Sequence, residues 1–558
     1  MLVPIHPALF FFVAALLAAV LPSRFRRAVQ LAVPILAFIF LRNLIQVPQA
    51  NLFFLGFTFR LVYIDQLSLL FSYTFLVFGF LANLYALHSE KKEIHIASNL
   101  YVGSSIGAIL AGDLITLFIF WEIMALTSAV LIWNRQRSSS LGALFRYLLV
   151  HLTGGLFFFM GILLRLQENN SLMISGMGLD LAGWMFFIGF CVNAAVPPVH
   201  AWMADAYPEG TPSGSVYLSC FTSKVAVYVF ARVFLGEDLL IYLGAIAAVY
   251  GVIYALMEND IRRLLSYHII CQVGYMLIGI GIGGHLGLNA GVGHAIGNIL
   301  FKGLLFMATG AMIHMTGYSK LSDLGGLAKK STWLVIFYMV GALAISGAPL
   351  LNGYVTKTLL VQAAGQAHYG WLELVMLAVA IGTFMSIALK LAYFAFWTRK
   401  TPPSLKQPIA SNMYLAMGLT SALCILLGVY PKLLFDLLPY PHHYHVFDIT
   451  HVLQTFELLI GTLVGFMLIR KYLHTKDVIS LDTDWLYRKG ASFFIKRICN
   501  PTRQLQENIQ DRWTQSISNT YGNLMTFFRH QIITTVGWPL LIMSSASLVI
   551  GLIIIWTI

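Results

Sequence analysis

The alternation of apolar and polar positions predicts membrane-crossing helices along most of this chain. Apolar runs close to the ~20 residues that span a bilayer core recur near residues 2–21, 28–46, 64–86, 96–112, 114–133 and 141–164. They return near 371–397, 409–430, 450–470 and 535–557. After the second run, NLFFLGFTFRLVYID has strand-like composition and predicts a short outer hairpin. The alternating segments of ~10 residues that a transmembrane barrel needs are absent. The expected fold class is all-α, a polytopic transmembrane helical protein.

Two stretches interrupt the pattern. Within residues 181–235 the apolar run gives way to AAVPPVHAWMADAYPEGTPSGS, resumes at Val216 and carries Lys224 in TSKVAVYVF. AISGAPLLNGYVTK is a second interruption, and the long span after it places Ser386 and Lys390 on one face. Irregular backbone at membrane depth is tolerated where protein or a cavity covers it, and a helix broken in this way commonly lines a site. Each half thus couples a Pro/Gly break to an intramembrane lysine, Lys224 in the first and Lys390 in the second.

Between the breaks, GVGHAIGNILFKGLLFMATGAMIH is long and apolar enough to cross a bilayer, yet holds His294, Asn298 and Lys302 at steps of four. On a helix those side chains share one face. An ammonium facing hydrocarbon costs at least ~3 kcal/mol, so this face should turn toward protein or water. The preceding helix repeats the device with His268 and Gln272 at i, i+4.

Composition agrees: 58% of the 558 residues are hydrophobic and 10% are charged. The net charge of +12 calls for no nucleic-acid partner, because cytoplasmic loops of membrane proteins collect Lys and Arg. Arg24, Arg26 and Arg27 follow the first run, which predicts a true span with its N-terminus outside, not a cleaved signal. Lys91 and Lys92, then Arg135 and Arg137, fall on the cytoplasmic side in the same scheme. The expected location is the cell's inner (plasma) membrane. Cys191, Cys220, Cys271, Cys424 and Cys499 stand singly and read as small packing residues. His442, His443, His445 and His451 lack a metal-binding spacing, so no metal is expected. No nucleotide, haem or iron–sulfur motif occurs, and no cofactor or catalytic centre is expected. From Leu505 through Ile509, Trp513, Ile517, Tyr521, Leu524 and Phe528, an apolar stripe predicts an amphipathic helix suited to a membrane or partner surface.

Few ionisable groups lie inside predicted spans: Glu122, Lys224, Lys302 and Lys390, with His151, His268, His294 and His314. A buried carboxylate such as Glu122 must pair with a cation or take up a proton, and a Glu–Lys pair in this setting is a coupled titrating unit. Lysines and histidines separated by polar groups can relay protons.

VPPVHAWMADAYPEGTP…TSKVAVY, ENDIRRLLSYHIICQVGYM and HAIGNILFKGLLFMATGAM, in this order, resemble the proton-conducting antiporter-like family. It includes the D-type and A-type subunits of Mrp Na⁺/H⁺ antiporters and the antiporter-like subunits of complex I and membrane-bound hydrogenases. The resemblance spans residues 60–400 and is nearest to the D-type branch. It implies about 14 core helices, two inverted five-helix bundles with broken helices, and a hydrophilic axis in the membrane plane. It pairs Glu122 with Lys224 on the first broken helix and assigns proton transfer to Glu122, Lys224, His268, His294, Lys302 and Lys390; His151, Asn298 and Gln272 are the auxiliaries expected beside them. Asn298 departs from the histidine often found there, and the sequence beyond 475 exceeds a minimal member of the D-type branch.

The implied organisation is N-terminal spans and hairpin (1–95), first bundle (96–282), second bundle (283–432), a C-terminal core span (433–475) and a tail with amphipathic helix and anchor span (476–558). The expected function is proton translocation, coupled to Na⁺ or another monovalent cation, beside other membrane subunits in a lipid bilayer. Two alternatives stay open: the proton-pumping arm of a redox complex, and a proton channel serving solute or inorganic-carbon uptake.

Overall fold

The computed structural model describes residues 6–45, 51–54, 56–398, 404–441 and 444–473, with isolated positions beyond 481. These belong, up to Ser480, to one unit. The expected amphipathic helix, the last span, Cys499, His442 and His443 lie outside the described residues.

Helices dominate. α1 (Ala8–Val20) and α2 (Ser23–Leu44) come first, then the hairpin of β1 (Leu52–Phe54) and β2 (Phe57–Phe59), antiparallel with Phe53 opposite Thr58. α3 (Gln66–Ala86), α4 (Lys92–Leu110), α5 (Leu114–Trp133) and α6 (Ser138–Asn169) follow. Short polar side chains start several of them. Asp65 accepts from the Ser68 amide at 2.8 Å, the Asp65 amide donates to Ser68 Oγ, and Asp113 accepts from the Thr116 amide at 2.7 Å. Each satisfies amides that a helix start leaves unpaired.

The first interruption is more elaborate than the sequence pattern. α7 (Leu181–Ala194) and α8 (Ala201–Ala206) precede a broken span of α9 (Pro212–Leu218) and α10 (Thr222–Val233). The span therefore begins at Pro212, not Val216. Thr211 caps it through the Gly214 amide at 3.0 Å, and proline suits the first helical position because no partner is needed for its missing N–H. The break itself falls at residues 219–221, immediately before Lys224.

α11 (Asp238–Met257), α12 (Ile261–Ile282) and α13 (Gly284–Thr316) form the centre of the unit. α11 and α12 approach closely through glycine: a Cβ on Gly244 would sit 2.6 Å from the Gly274 carbonyl oxygen. Small residues give membrane helices this backbone proximity. α13 runs 33 residues, longer than the expected 291–314 stretch, and its membrane-length window is wholly buried.

α14 (Thr332–Ser346) and α15 (Asn352–Gln366) are the halves of the second break. Gly347, at φ +82°, ends α14 in the left-handed region open to glycine. α16 (Gly370–Thr383) continues as a π-helical stretch, Phe384–Leu391. α17 (Ser411–Val429), α18 (Lys432–Phe435) and α19 (Ile449–Ile469) complete the described helices. Among the described residues, eleven helical spans are long and apolar enough to cross a membrane, counting each of α9–α10 and α16 with its continuation as one. The protein is a polytopic all-α membrane protein.

Candidate functional site

The stripe read from the sequence lies in the protein interior. His294, Asn298 and Lys302 on α13, and His268 and Gln272 on α12, are all fully buried. The two helices interlock through their polar faces. Lys302 Nζ donates to the Leu265 carbonyl at 2.9 Å, and His294 Nε2 lies 3.1 Å from Gln272 Oε1. Burying Lys302, His294 and Gln272 in an apolar medium is tolerable because they find partners.

Both breaks feed this pair. At the first, Lys224 Nζ donates to the Ser219 carbonyl at 3.0 Å and the Ser223 hydroxyl at 3.2 Å. Ser219 sits at the C-terminal end of α9, where unpaired carbonyls and the helix dipole favour a cation. Cys220, within the break, reaches the Ile299 carbonyl of α13 at 3.3 Å. Thr222 pairs with the Tyr101 hydroxyl of α4 at 2.6 Å. At the second break, Lys357 Nζ donates to the Ile345 carbonyl, near the end of α14, at 2.6 Å. Its neighbour Thr356 meets His294 Nδ1 at 2.9 Å. Asn352 donates to the Gly297 carbonyl of α13 at 3.1 Å.

The cations are within electrostatic reach of one another. Lys302 senses the charge of Lys224, His268 senses Lys302 and Lys357, and His294 senses Lys357 and Lys224. A chain of protonatable groups therefore connects the two breaks through α12 and α13. Asn298, wholly buried beside it, finds no protein partner for either amide atom.

Lys390 stands at one end of a branch. His268 Nε2 contacts the Ser386 hydroxyl at 2.6 Å, and Ser386 and Lys390 are four residues apart in the π-helical stretch. Lys390 Nζ donates to the carbonyls of Leu256 at 2.5 Å and Glu258 at 2.8 Å, at the C-terminal end of α11. Glu258 pairs with Arg263 at 3.0 Å, on the charged loop ENDIRR. Burial pushes the Glu258 carboxyl up from the usual range, against the opposing pull of Arg263. The branch thus runs from the buried centre toward a polar loop.

Two expectations change. The Glu122–Lys224 ion pair is not formed: Lys224 is satisfied by Ser219 and Ser223, while Glu122 Oε1 lies against Gly155 of α6 without a hydrogen-bond partner. His151, one turn before Gly155 on α6, packs between Tyr147 and Trp202 at ring distances of 4.2 and 4.4 Å. Glu122 and His151 therefore share the α5–α6 side of the protein. The second correction concerns the lysine of the second break, which is Lys357 and not Lys390. A signal for it is present in the sequence, since FTSK and YVTK set an aromatic residue three places before each lysine.

Cys191, Cys220, Cys271 and Cys424 are buried free thiols. Among the described residues no group of three or more His, Cys, Asp or Glu side chains could hold a metal.

Residues 111–382 match the family model described as NADH:quinone oxidoreductase/Mrp antiporter, TM. Uncharacterized protein MJ1309 of Methanocaldococcus jannaschii is 30% identical over 62% of this chain and 77% of its own length. The D-type Na(+)/H(+) antiporter component of Alkalihalophilus pseudofirmus is 28% identical over 52% of this chain and 63% of its own length, so the match spans under two thirds of that relative. A chain in the solved structure of the membrane-bound sulfane sulfur reductase, an archaeal respiratory membrane complex, shares the fold at TM-score 0.70 and 22% identity, covering 99% of each chain.

Proposed function

We propose that this chain, which belongs to the NADH:quinone oxidoreductase/Mrp antiporter membrane family, translocates protons as one subunit of a multi-subunit membrane complex. The observation that carries this reading is the buried line of protonatable groups joining the two helix breaks through Lys224, Lys302, His268, His294 and Lys357. A substrate pocket is not needed for such a task; a proton requires groups that can accept and release it, with water between them.

Lys224 lies within electrostatic reach of Lys302, so full charge on both is penalised in this low-dielectric setting. A proton arriving at one therefore favours departure from the other. Transfer continues to His268 and divides toward Lys357 or, through Ser386, toward Lys390 and the polar loop at Glu258. Glu122 acts from the α5–α6 side with His151 beside it, and a gating pair with Lys224 would require the lysine to leave its Ser219 cap. Gln272 and Asn298 orient or solvate the central step.

Coupling to Na⁺ or another monovalent cation is our reading of the likeness to the Alkalihalophilus pseudofirmus antiporter component, and the plasma membrane is its proposed location. The bundle limits at 96–282 and 283–432 belong to the same proposal. The family description also covers NADH:quinone oxidoreductase, which keeps the redox-driven arm as a second reading. Proton movement into vesicles containing the complex, followed by a pH-sensitive dye, tests the first claim. Lys224→Ala and Lys302→Ala should each abolish gradient-dependent movement, and wild-type rates in both would sink it. Co-purification of flavin or iron–sulfur subunits would select the redox reading.

A further inference from the structure

Outside the proton-transfer groups, one cavity gathers an unusual amount of positive charge. Its volume is about 270 Å³, and Lys91, Arg135, Arg137, Arg262 and Lys406 line it together with Thr211. These residues come from separate parts of the chain: the α3–α4 loop, the α5–α6 loop, the start of α12 and the segment before α17. Their convergence puts those parts on one face of the protein. Under the positive-inside rule that face is cytoplasmic, extending to residue 406 an orientation that the sequence supported only for the first half.

The nearby carboxylates are already engaged. Glu209 accepts from Arg135 at 3.4 Å and from Ser139 and Ser140 at 3.0 and 2.9 Å. Asp260 caps α12 and accepts from the Ser319 hydroxyl at 2.5 Å. Arg262 is fully buried, 1% exposed, and lies within electrostatic reach of Arg135 and Arg137 as like charges and of Asp260 and Glu209, already engaged, as opposite ones. Its Nη1 is held by the Gly210 carbonyl at 2.7 Å and Ser215 Oγ at 3.1 Å, but its buried Nε has no partner. A guanidinium kept among other cations, with an unpaired donor, is the arrangement that a multiply charged oxyanion relieves.

We propose that this cavity is a binding site for a phosphate group, with Arg262 at its base and Arg137 and Lys406 at its rim. Guanidinium and ammonium donors converging from several sides suit tetrahedral phosphate oxygens, and a basic pocket on the cytoplasmic side of membrane helices is suited to lipid headgroups. The source is either the headgroup of an anionic phospholipid or free phosphate. Arg262 also grips Ser215 on α9, so occupancy bears directly on the first broken helix.

The test uses the full chain, with the subunits that accompany it, purified in mild detergent, and compares wild type with Arg137→Gln/Lys406→Gln. Both positions are exposed, and an unchanged unfolding temperature in chloride alone verifies that the double variant is folded. Native mass spectrometry counts retained phospholipid. After lipid depletion, inorganic phosphate is titrated at constant ionic strength while thermal unfolding is followed. Retained phospholipid that the variant loses assigns the site to a headgroup. A saturable rise in unfolding temperature with phosphate alone, about tenfold weaker in the variant, assigns it to free phosphate. Equal lipid retention in both proteins together with no saturable phosphate effect overturns the proposal.

Discussion

Lys357 Nζ donates to the Ile345 carbonyl across the second helix break at 2.6 Å, as Lys224 Nζ does to the Ser219 carbonyl across the first at 3.0 Å. In each case an ammonium on the second half sits at the negative end of the first half. The site is therefore built twice, and α12 and α13 carry the connection between the copies.

Lys357→Ala should reduce proton translocation on the order of 10²-fold, with the chain still present in the membrane at ordinary abundance. Dye-monitored proton movement, normalised to immunoblot, checks this. Activity near wild type would remove Lys357 from the path.

Ser386→Ala deletes the hydroxyl 2.6 Å from His268 Nε2 and interrupts the branch toward Lys390. Translocation should fall, and Ser386→Thr, which keeps the hydroxyl, should restore much of it. A loss in both variants alike would point to packing and not to hydrogen bonding.

Gly155→Ala should disturb Glu122. A Cβ at Gly155 would collide with the Glu122 carboxylate, which must then turn away from α6. The expected outcome is impaired translocation with little change in unfolding temperature. Glu122→Gln should impair it similarly, and two active variants would leave Glu122 without a role.

Asp65 supplies a pH-dependent link outside the relay. It caps α3 and binds Arg232 of α10 through both carboxylate oxygens. Burial pushes its carboxyl up, but Arg232 and Ser68 outweigh that and hold it below the usual value of 3.8. A carboxyl depressed on folding contributes stability above its unfolded value, and that stability disappears as pH falls through the folded one. Asp65→Asn should thus lower the unfolding temperature at neutral pH, with the difference closing as pH falls below the usual aspartate range. A constant difference at all pH values would contradict the assignment.

Gly244→Val should be destabilising by roughly 1–3 kcal/mol. The added Cβ would meet backbone on α12, the Gly274 carbonyl and the Ile278 amide at 2.6 and 2.9 Å, and backbone cannot move aside as a flexible side chain can. Thermal unfolding in detergent reads the effect.

Much of the central site was legible because its residues are costly where they stand. Hydrocarbon penalises Lys302, His294 and His268 wherever they lack partners, so their presence in apolar helices pointed to a shared interior face. Lys357 was harder to recognise. It follows a Pro/Gly interruption in a stretch rich in small and polar residues, where a lysine carries less signal than one surrounded by Phe and Leu. The Glu122–Lys224 pairing failed for another reason: opposite charges in neighbouring spans are expected to meet, but a helix end can satisfy a lysine instead.

The linear order of residues determined the membrane class, the two breaks, the hairpin and the polar faces of α12 and α13, because helix periodicity and bilayer thickness act locally along the chain. Only the tertiary structure decided what those faces meet. Lys302 against Leu265, His294 between Gln272 and Thr356, and the four cations that share one cavity with Arg262 bring distant segments together, as set by how helices pack around one another. Periodicity assigns a side chain to a face, whereas packing chooses its partner.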